Sequence, residues 1–227
     1  MKIVLNIFKG VTVMDEDTIK KGMDMAHDAG KFIAPLIKGT LEQGIGIFED
    51  KLKYIRWERQ KRMMRRSKEI LKELGVSEIE DPIPLKFAIP LLQGSTMEEN
   101  DNIQDLWINL LINSVANKKV ELKRVYMDIL ERISPLEAKI ITEIYKLPFE
   151  ENRHQRFATD HLPDYIYYCE EHRERELVLT DQNVELALMN LARIGCISPT
   201  ITVGGGELFT IINMTLLGAR FYDACTL

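Results

Sequence analysis

Apolar positions recur at three- and four-residue steps through Ile33, Leu36, Ile37, Leu41, Ile45, Phe48, Leu52 and Ile55, the signature of one helical face. The periodicity runs on into Trp57, Met63, Met64, Ile70, Leu71 and Leu74, and Gly75 supplies a stop. The pattern predicts a long N-terminal helical arm, with Pro35, Gly39, Gly44 and Gly46 marking a kink or a close backbone contact within it. Pro82, Pro84 and Pro90 then fall too densely for a continuing helix, so residues 78–90 read as a joint.

Beyond the joint, Ser95-Thr96-Met97-Glu98 has the form of a capping box. It precedes an amphipathic helix with Ile103, Leu106, Trp107, Leu110, Leu111 and Val115 on one face. Glu98, Glu99 and Asp101 place carboxylates at its N-terminal end, where the helix dipole favours them. Ser134-Pro135-Leu136-Glu137 opens a second helix, expected to end near Tyr145. The polar, aromatic-rich stretch from Pro148 to Glu176 is long enough to hold helix of its own, placed around Asp164 to His172. Thr180 then caps a helix through Val184, Leu188, Leu191 and Ile194, stopped by Gly195. Two short strands, 197–203 and 207–214, flank Gly204, Gly205 and Gly206, and Thr215 caps a last helix to Cys225. The expected fold is mainly α. It comprises an N-terminal helical arm (1–78), a central helical segment (79–131) and a winged-helix-like C-terminal unit with a small β-hairpin (132–227).

Charge changes the picture at one place. The chain carries a net charge of -5, yet residues 51–68 hold nine Lys or Arg against the single acid Glu58. On a helical projection Lys51, Arg59, Lys61, Arg62, Arg65, Arg66, Lys68 and Lys72 share the half of the circumference opposite the apolar residues. Such a stripe is either a binding face for an anion or a solvated face paired with acids of the same protein. As a binding face it suits nucleic acid, held through phosphates with steep salt dependence, or an anionic membrane surface. The apolar segment from Phe32 to Phe48 is interrupted by Lys38 and Glu42, too soon for a spanning helix, although it can lie on a membrane surface.

The other candidate chemistry is thin. Cys169, Cys196 and Cys225 are an odd number without a CxxC pair, which points to a reducing compartment and a cytoplasmic location, with the inner face of the membrane as the alternative. The start MKIVLNIFKG lacks a small-residue cleavage site before Asp15, Glu16 and Asp17. His154, His161, Cys169 and His172 form only one tight ligand pair, so solvent-facing histidines fit better than zinc, and no metal or cofactor is expected. Gly44-Ile45-Gly46 follows no strand, GxxxxGK[ST] is absent, and Glu49-Asp50-Lys51 lies in a helical pattern rather than on the strand a nuclease motif needs. The expected protein is not an enzyme. In the C-terminal unit, the helix from Asp181 to Ile194 offers Gln182, Asn183, Glu185 and Asn190 but only Arg193 as a cation, which favours protein contact over reading of DNA.

Several segments together are similar to a known family. They are KLKYIRWERQKRMMRRSKEILKELG (Lys51 to Gly75), PLLQGSTMEENDNIQDLWINLLINS (Pro90 to Ser114), ISPLEAKII (Ile133 to Ile141), LARIGCIS (Leu191 to Ser198) and LLGARFYDAC. The chain from about Lys31 onward resembles the Abi-alpha, or abortive infection alpha, family of prokaryotic proteins associated with phage defence. The resemblance carries a fold signature and no reaction mechanism, so it assigns no catalytic residue. It implies a defence-linked setting, and taken with the basic face it leads to the expectation of a non-enzymatic defence protein acting by binding an anionic or protein partner, such as a phage component. A nucleic-acid-binding winged-helix regulator and a peripheral membrane effector are the alternatives, and apolar stripes on a long helix suggest a homo-oligomer.

Overall fold

The computed structural model describes residues 31–32, 34–38, 57–79, 82–116, 121–170 and 181–227. After a short 3-10 turn at Ala34–Leu36 come strand β1 (Ile37–Lys38) and helix α1 (Trp57–Glu73). Next are β2 (Ile83–Pro84) and the helices α2 (Leu85–Met97), α3 (Asp101–Ala116), α4 (Arg124–Leu130), α5 (Pro135–Tyr145) and α6 (Phe149–Asn152). Strands β3 (Phe157–Ala158) and β4 (Tyr167–Tyr168), helix α7 (Gln182–Arg193), strands β5 (Ile197–Ile201) and β6 (Glu207–Met214) and helix α8 (Leu216–Cys225) complete the chain. The protein is mostly helical, with a four-stranded antiparallel sheet in the order β4-β3-β6-β5.

Helix α3 is the axis of the packing. Its buried positions include Ile103, Gln104, Trp107, Ile108, Leu110, Leu111, Ile112, Asn113 and Val115, which is more than one amphipathic stripe, because α1, α2, α4, α5 and α8 all pack against it. Asn109 and Asn113 donate from Nδ2 to the backbone carbonyls of Cys225 (3.0 Å), Ala224 (3.0 Å) and Thr226 (2.7 Å), so two amides on α3 hold carbonyls at the end of α8.

Local signals placed many elements correctly. Ser134 and Glu137 form the reciprocal capping box with Pro135 at the first helical position, and α5 ends at Tyr145. Thr215 Oγ1 accepts from the Gly218 amide at 3.0 Å, capping α8. The hairpin of β5 and β6 forms, with a register shift between Pro199 and Thr200.

Three expectations are corrected beyond the arm. Residues 85–90 are not a joint but the start of α2, in which Pro84 is the N-cap and Pro90 sits inside the helix. Pro90 cannot supply the N–H that the Lys86 carbonyl would take, and packing of Ala88, Leu91 and Leu92 into the core outweighs that loss. Ser95 and Thr96 are buried in the last turn of α2, their hydroxyls donating back to the Leu92 carbonyl (3.1 and 2.5 Å), and they cap nothing. The cap of α3 is Asn100, whose Oδ1 accepts from the amides of Asn102 (3.1 Å) and Ile103 (3.2 Å). Tyr167–Tyr168, inside the span read as helix, is a strand because Phe157–Ala158 offers it a pairing edge.

Residues 34–38 also depart from the helical arm: Ile37 and Lys38 are extended and pair in parallel with Ile83 and Pro84. Most of the arm before Trp57, with Leu41, Ile45, Phe48, Leu52 and Ile55, lies outside the described residues. Thr180 does too, and the cap of α7 is Asp181, accepting from the Asn183 amide at 2.8 Å.

The close approach of α2 to α3 depends on Gly94. A Cβ there would lie 2.6 Å from the Trp107 ring, so only glycine lets the indole rest on the α2 backbone.

Candidate anion-binding site

Helix α1 is built from good helix formers, with Glu58 in its first turn and Lys72 in its last. It ends in a Schellman motif: Gly75 has a φ of 68°, its amide donates to the Lys72 carbonyl (3.1 Å), and the Val76 amide donates to the Leu71 carbonyl (2.9 Å). Gln60, Met63, Met64, Ser67 and Ile70 are buried at three- and four-residue spacing and turn that face onto α2 and α3.

The basic half of the helix divides in two. Arg59, Arg62 and Arg66 form a stripe that faces the first turns of α3. Arg59 bonds the Asp101 carboxylate. Arg62 reaches Gln104 Oε1 at 2.7 Å, Asp105 Oδ1 at 2.8 Å and Asp101 Oδ1 at 3.5 Å. Arg66 bonds Glu69 at 2.9 Å and approaches Asp105 at 3.8 Å. Gln104 is fully buried, and its Nε2 donates to the carbonyls of Ser95 (2.6 Å) and Arg59 (3.2 Å), so one amide ties three helices together.

The second stripe is Lys61, Arg65, Lys68 and Lys72, all exposed, at steps of four, three and four along the helix. Arg65 has 69% of its side chain exposed and a 3.8 Å approach to Glu69. Among the described residues the three lysines have no ion pair. Lys51 lies outside the described residues. Internal pairing and an open cationic face, alternatives for the sequence, are therefore both present on different edges of one helix. Of the acids around the start of α3, Asp101 pairs with Arg59 and Arg62, whereas Glu98 accepts from the Asn100 amide at 2.7 Å. The parts played by Gln104 and Asp105 went unread, although Asp101 and Asp105 at four-residue spacing were a visible signal of one acidic face.

The Arg59 hydrogen bond, and then the charge of Arg62, hold the Asp101 carboxyl below the ordinary carboxylate range. A depressed carboxylate stabilises the fold above its unfolded value, roughly pH 4, and that contribution is lost as pH falls through the lower folded value. Asp101→Asn should therefore be less stable than the native chain at neutral pH, with the gap closing in acid. Urea midpoints measured across the pH range check this, and a gap that does not change with pH refutes it. Hydrogen bonding to Glu69 raises the Arg66 guanidinium, which stays charged throughout.

The remaining candidates sit apart. Arg193 donates to Asn190 Oδ1 (2.7 Å from Nη2), and Asn190 donates to Glu137 Oε1 at 2.8 Å, so the single cation of α7 is engaged within the fold. The outer face of that helix instead exposes Leu186 and Met189. His161 stacks on Tyr165 at 4.6 Å, His172 lies outside the described residues, and among the described residues no three His, Cys, Asp or Glu gather as a metal set. Glu49 and Asp50, like Lys51, fall outside the described residues. Burial pushes the Cys196 thiol up to about 12 and the Cys225 thiol well above its usual value, leaving both neutral and unreactive at physiological pH. No helix among the described residues is long and apolar enough to cross a membrane.

The family model described as abortive infection alpha matches residues 58–225, from the first turn of α1 to the last residue of α8. No curated protein and no solved structure matches the chain.

Proposed function

The chain belongs to the abortive infection alpha family, and from that premise we propose that it is a phage-defence protein that acts without catalysis, by binding an anionic partner through the outer stripe of α1. The observation that carries the reading is the division of the basic helix. Arg59, Arg62 and Arg66 neutralise acids of α3, whereas Lys61, Arg65, Lys68 and Lys72 present a line of charge to solvent in a protein whose net charge is -5. A solvated face serving solubility alone has no need to concentrate one sign along one edge.

The winged-helix-like reading of the C-terminal unit is the second proposal. It rests on the order α5, α7, the β5–β6 hairpin and α8, and it suits a contact with protein better than with DNA, because Arg193 is held by Asn190 and the hairpin carries no Lys or Arg.

The test is the chain with Lys61→Glu, Arg65→Glu, Lys68→Glu and Lys72→Glu together. These side chains are exposed, so each reversal should shift stability by only about 0.5 kcal/mol. The variant should elute from immobilised heparin at much lower salt than the native chain and should no longer protect cells challenged with phage. Unchanged elution and unchanged protection in a folded variant would refute the reading.

A further inference from the structure

Beside the outer stripe, Lys31, Phe32, Pro35 and Leu36, the last turns of α1 and the turn after it line an open groove of about 880 Å3. Its floor is apolar: Leu36 is buried, and Phe32, Leu71, Val76 and Ile79 are half-buried. Its rim carries Lys31, Lys68 and Lys72, with Glu78 as the acid among its lining residues. The three lysines have no ion pair among the described residues.

Apolar floor and cationic rim select a ligand that has both characters. A free phosphate would use the lysines and leave the floor wet. An uncharged chain would cover the floor and leave the lysines unmatched. A nucleic acid strand brings phosphate and flat bases, yet among the groove's lining residues only Phe32 is an aromatic platform. We infer that the groove takes the acyl chain of an anionic phospholipid, with the headgroup phosphate among Lys31, Lys68 and Lys72.

The source is a bilayer rather than a lone lipid monomer, because Lys61 and Arg65 continue the line of charge along α1 beyond the groove. A plane of anionic headgroups meets all of these cations, and each Lys or Arg near such a surface adds to binding. Alkyl burial in the groove would supply the remaining attraction, and a volume of this size lies in the ordinary range for ligand sites.

This inference rests on the anion-binding reading above and can fail separately from it. The full chain is floated with vesicles of phosphatidylcholine, with and without phosphatidylglycerol, and titrated with soluble dihexanoyl phosphatidylglycerol and with glycerol phosphate. Vesicle binding should need phosphatidylglycerol, and the short-chain lipid should bind at least about tenfold tighter than glycerol phosphate, given the contribution of each buried methylene. Ile79→Trp fills the groove without touching a lysine; it should cut short-chain lipid binding about tenfold while heparin elution stays native, a loss that matches removal of the buried chain.

Equal binding of glycerol phosphate and lipid, or an Ile79→Trp variant that binds lipid normally, overturns the groove assignment even if heparin binding persists. Uptake of the short-chain lipid without vesicle binding overturns the bilayer as source. Native binding of every anion by the folded fourfold Lys/Arg→Glu variant overturns the underlying reading itself.

Discussion

Gly218→Ala is expected to cost roughly 3 kcal/mol or more and to lower the melting temperature accordingly, because it combines overpacking with a broken hydrogen-bond junction. Gly218 lies in the first turn of α8. A Cβ there would stand 2.1 Å from the Tyr145 hydroxyl and 2.2 Å from the Cys196 backbone carbonyl. That hydroxyl is the junction between α5, the entry to β5 and the cap of α8. It donates to the Cys196 carbonyl at 2.6 Å and accepts from the Thr215 amide at 3.0 Å. Burial pushes its pKa up to about 12, so it remains a donor at every accessible pH.

Tyr145→Phe should relieve the clash only in part, since the Cys196 carbonyl would still stand in the way. Urea unfolding of both single variants and the double variant checks this. A Gly218→Ala chain with a native midpoint would mean that α8 does not approach Cys196 in this way. Domains of this size have about 5–15 kcal/mol in total, so the substitution should also lower the amount of folded protein in cells.

The second large effect separates the two edges of α1. Arg62→Glu would set a third acid against Asp101 and Asp105 and remove the donor to Gln104, at a cost of roughly 2–4 kcal/mol, near the range for breaking a partly buried ion pair. Lys68→Glu, on the open edge of the same helix, should leave stability within about 0.5 kcal/mol of native and weaken binding to anions. Denaturation midpoints measured beside heparin elution should place the two variants at opposite corners: one unstable, the other stable but weak in binding. Equal loss of stability in both would refute the division of the stripe. Any loss of protection in an Arg62 variant must accordingly be read as loss of fold.

Elements whose signals are local were legible from the chain. Ser134 with Glu137, Thr215, and the stops at Gly75 and Gly195 act over three or four residues, and α5, the hairpin, α8 and the end of α1 fall where those residues place them. Helix α2 was missed because Pro90 and Gly94 are unfavourable in isolation. Their positions make sense only beside Trp107, whose ring needs the surface that Gly94 leaves open. The short strand at Tyr167–Tyr168 was missed for a related reason, since two residues extend only when an edge such as Phe157–Ala158 awaits them.

The amino-acid sequence by itself determined that this protein is mainly helical, that its family is abortive infection alpha, and that one helix carries an excess of positive charge on one side. Only the tertiary structure decided which of those charges pair within the fold and which stay open to solvent. Periodicity places Arg62 and Lys68 on the same half of a cylinder. The difference between them lies in what the neighbouring helix presents: Asp101, Gln104 and Asp105 stand against the first, and an apolar groove opens to solvent beside the second.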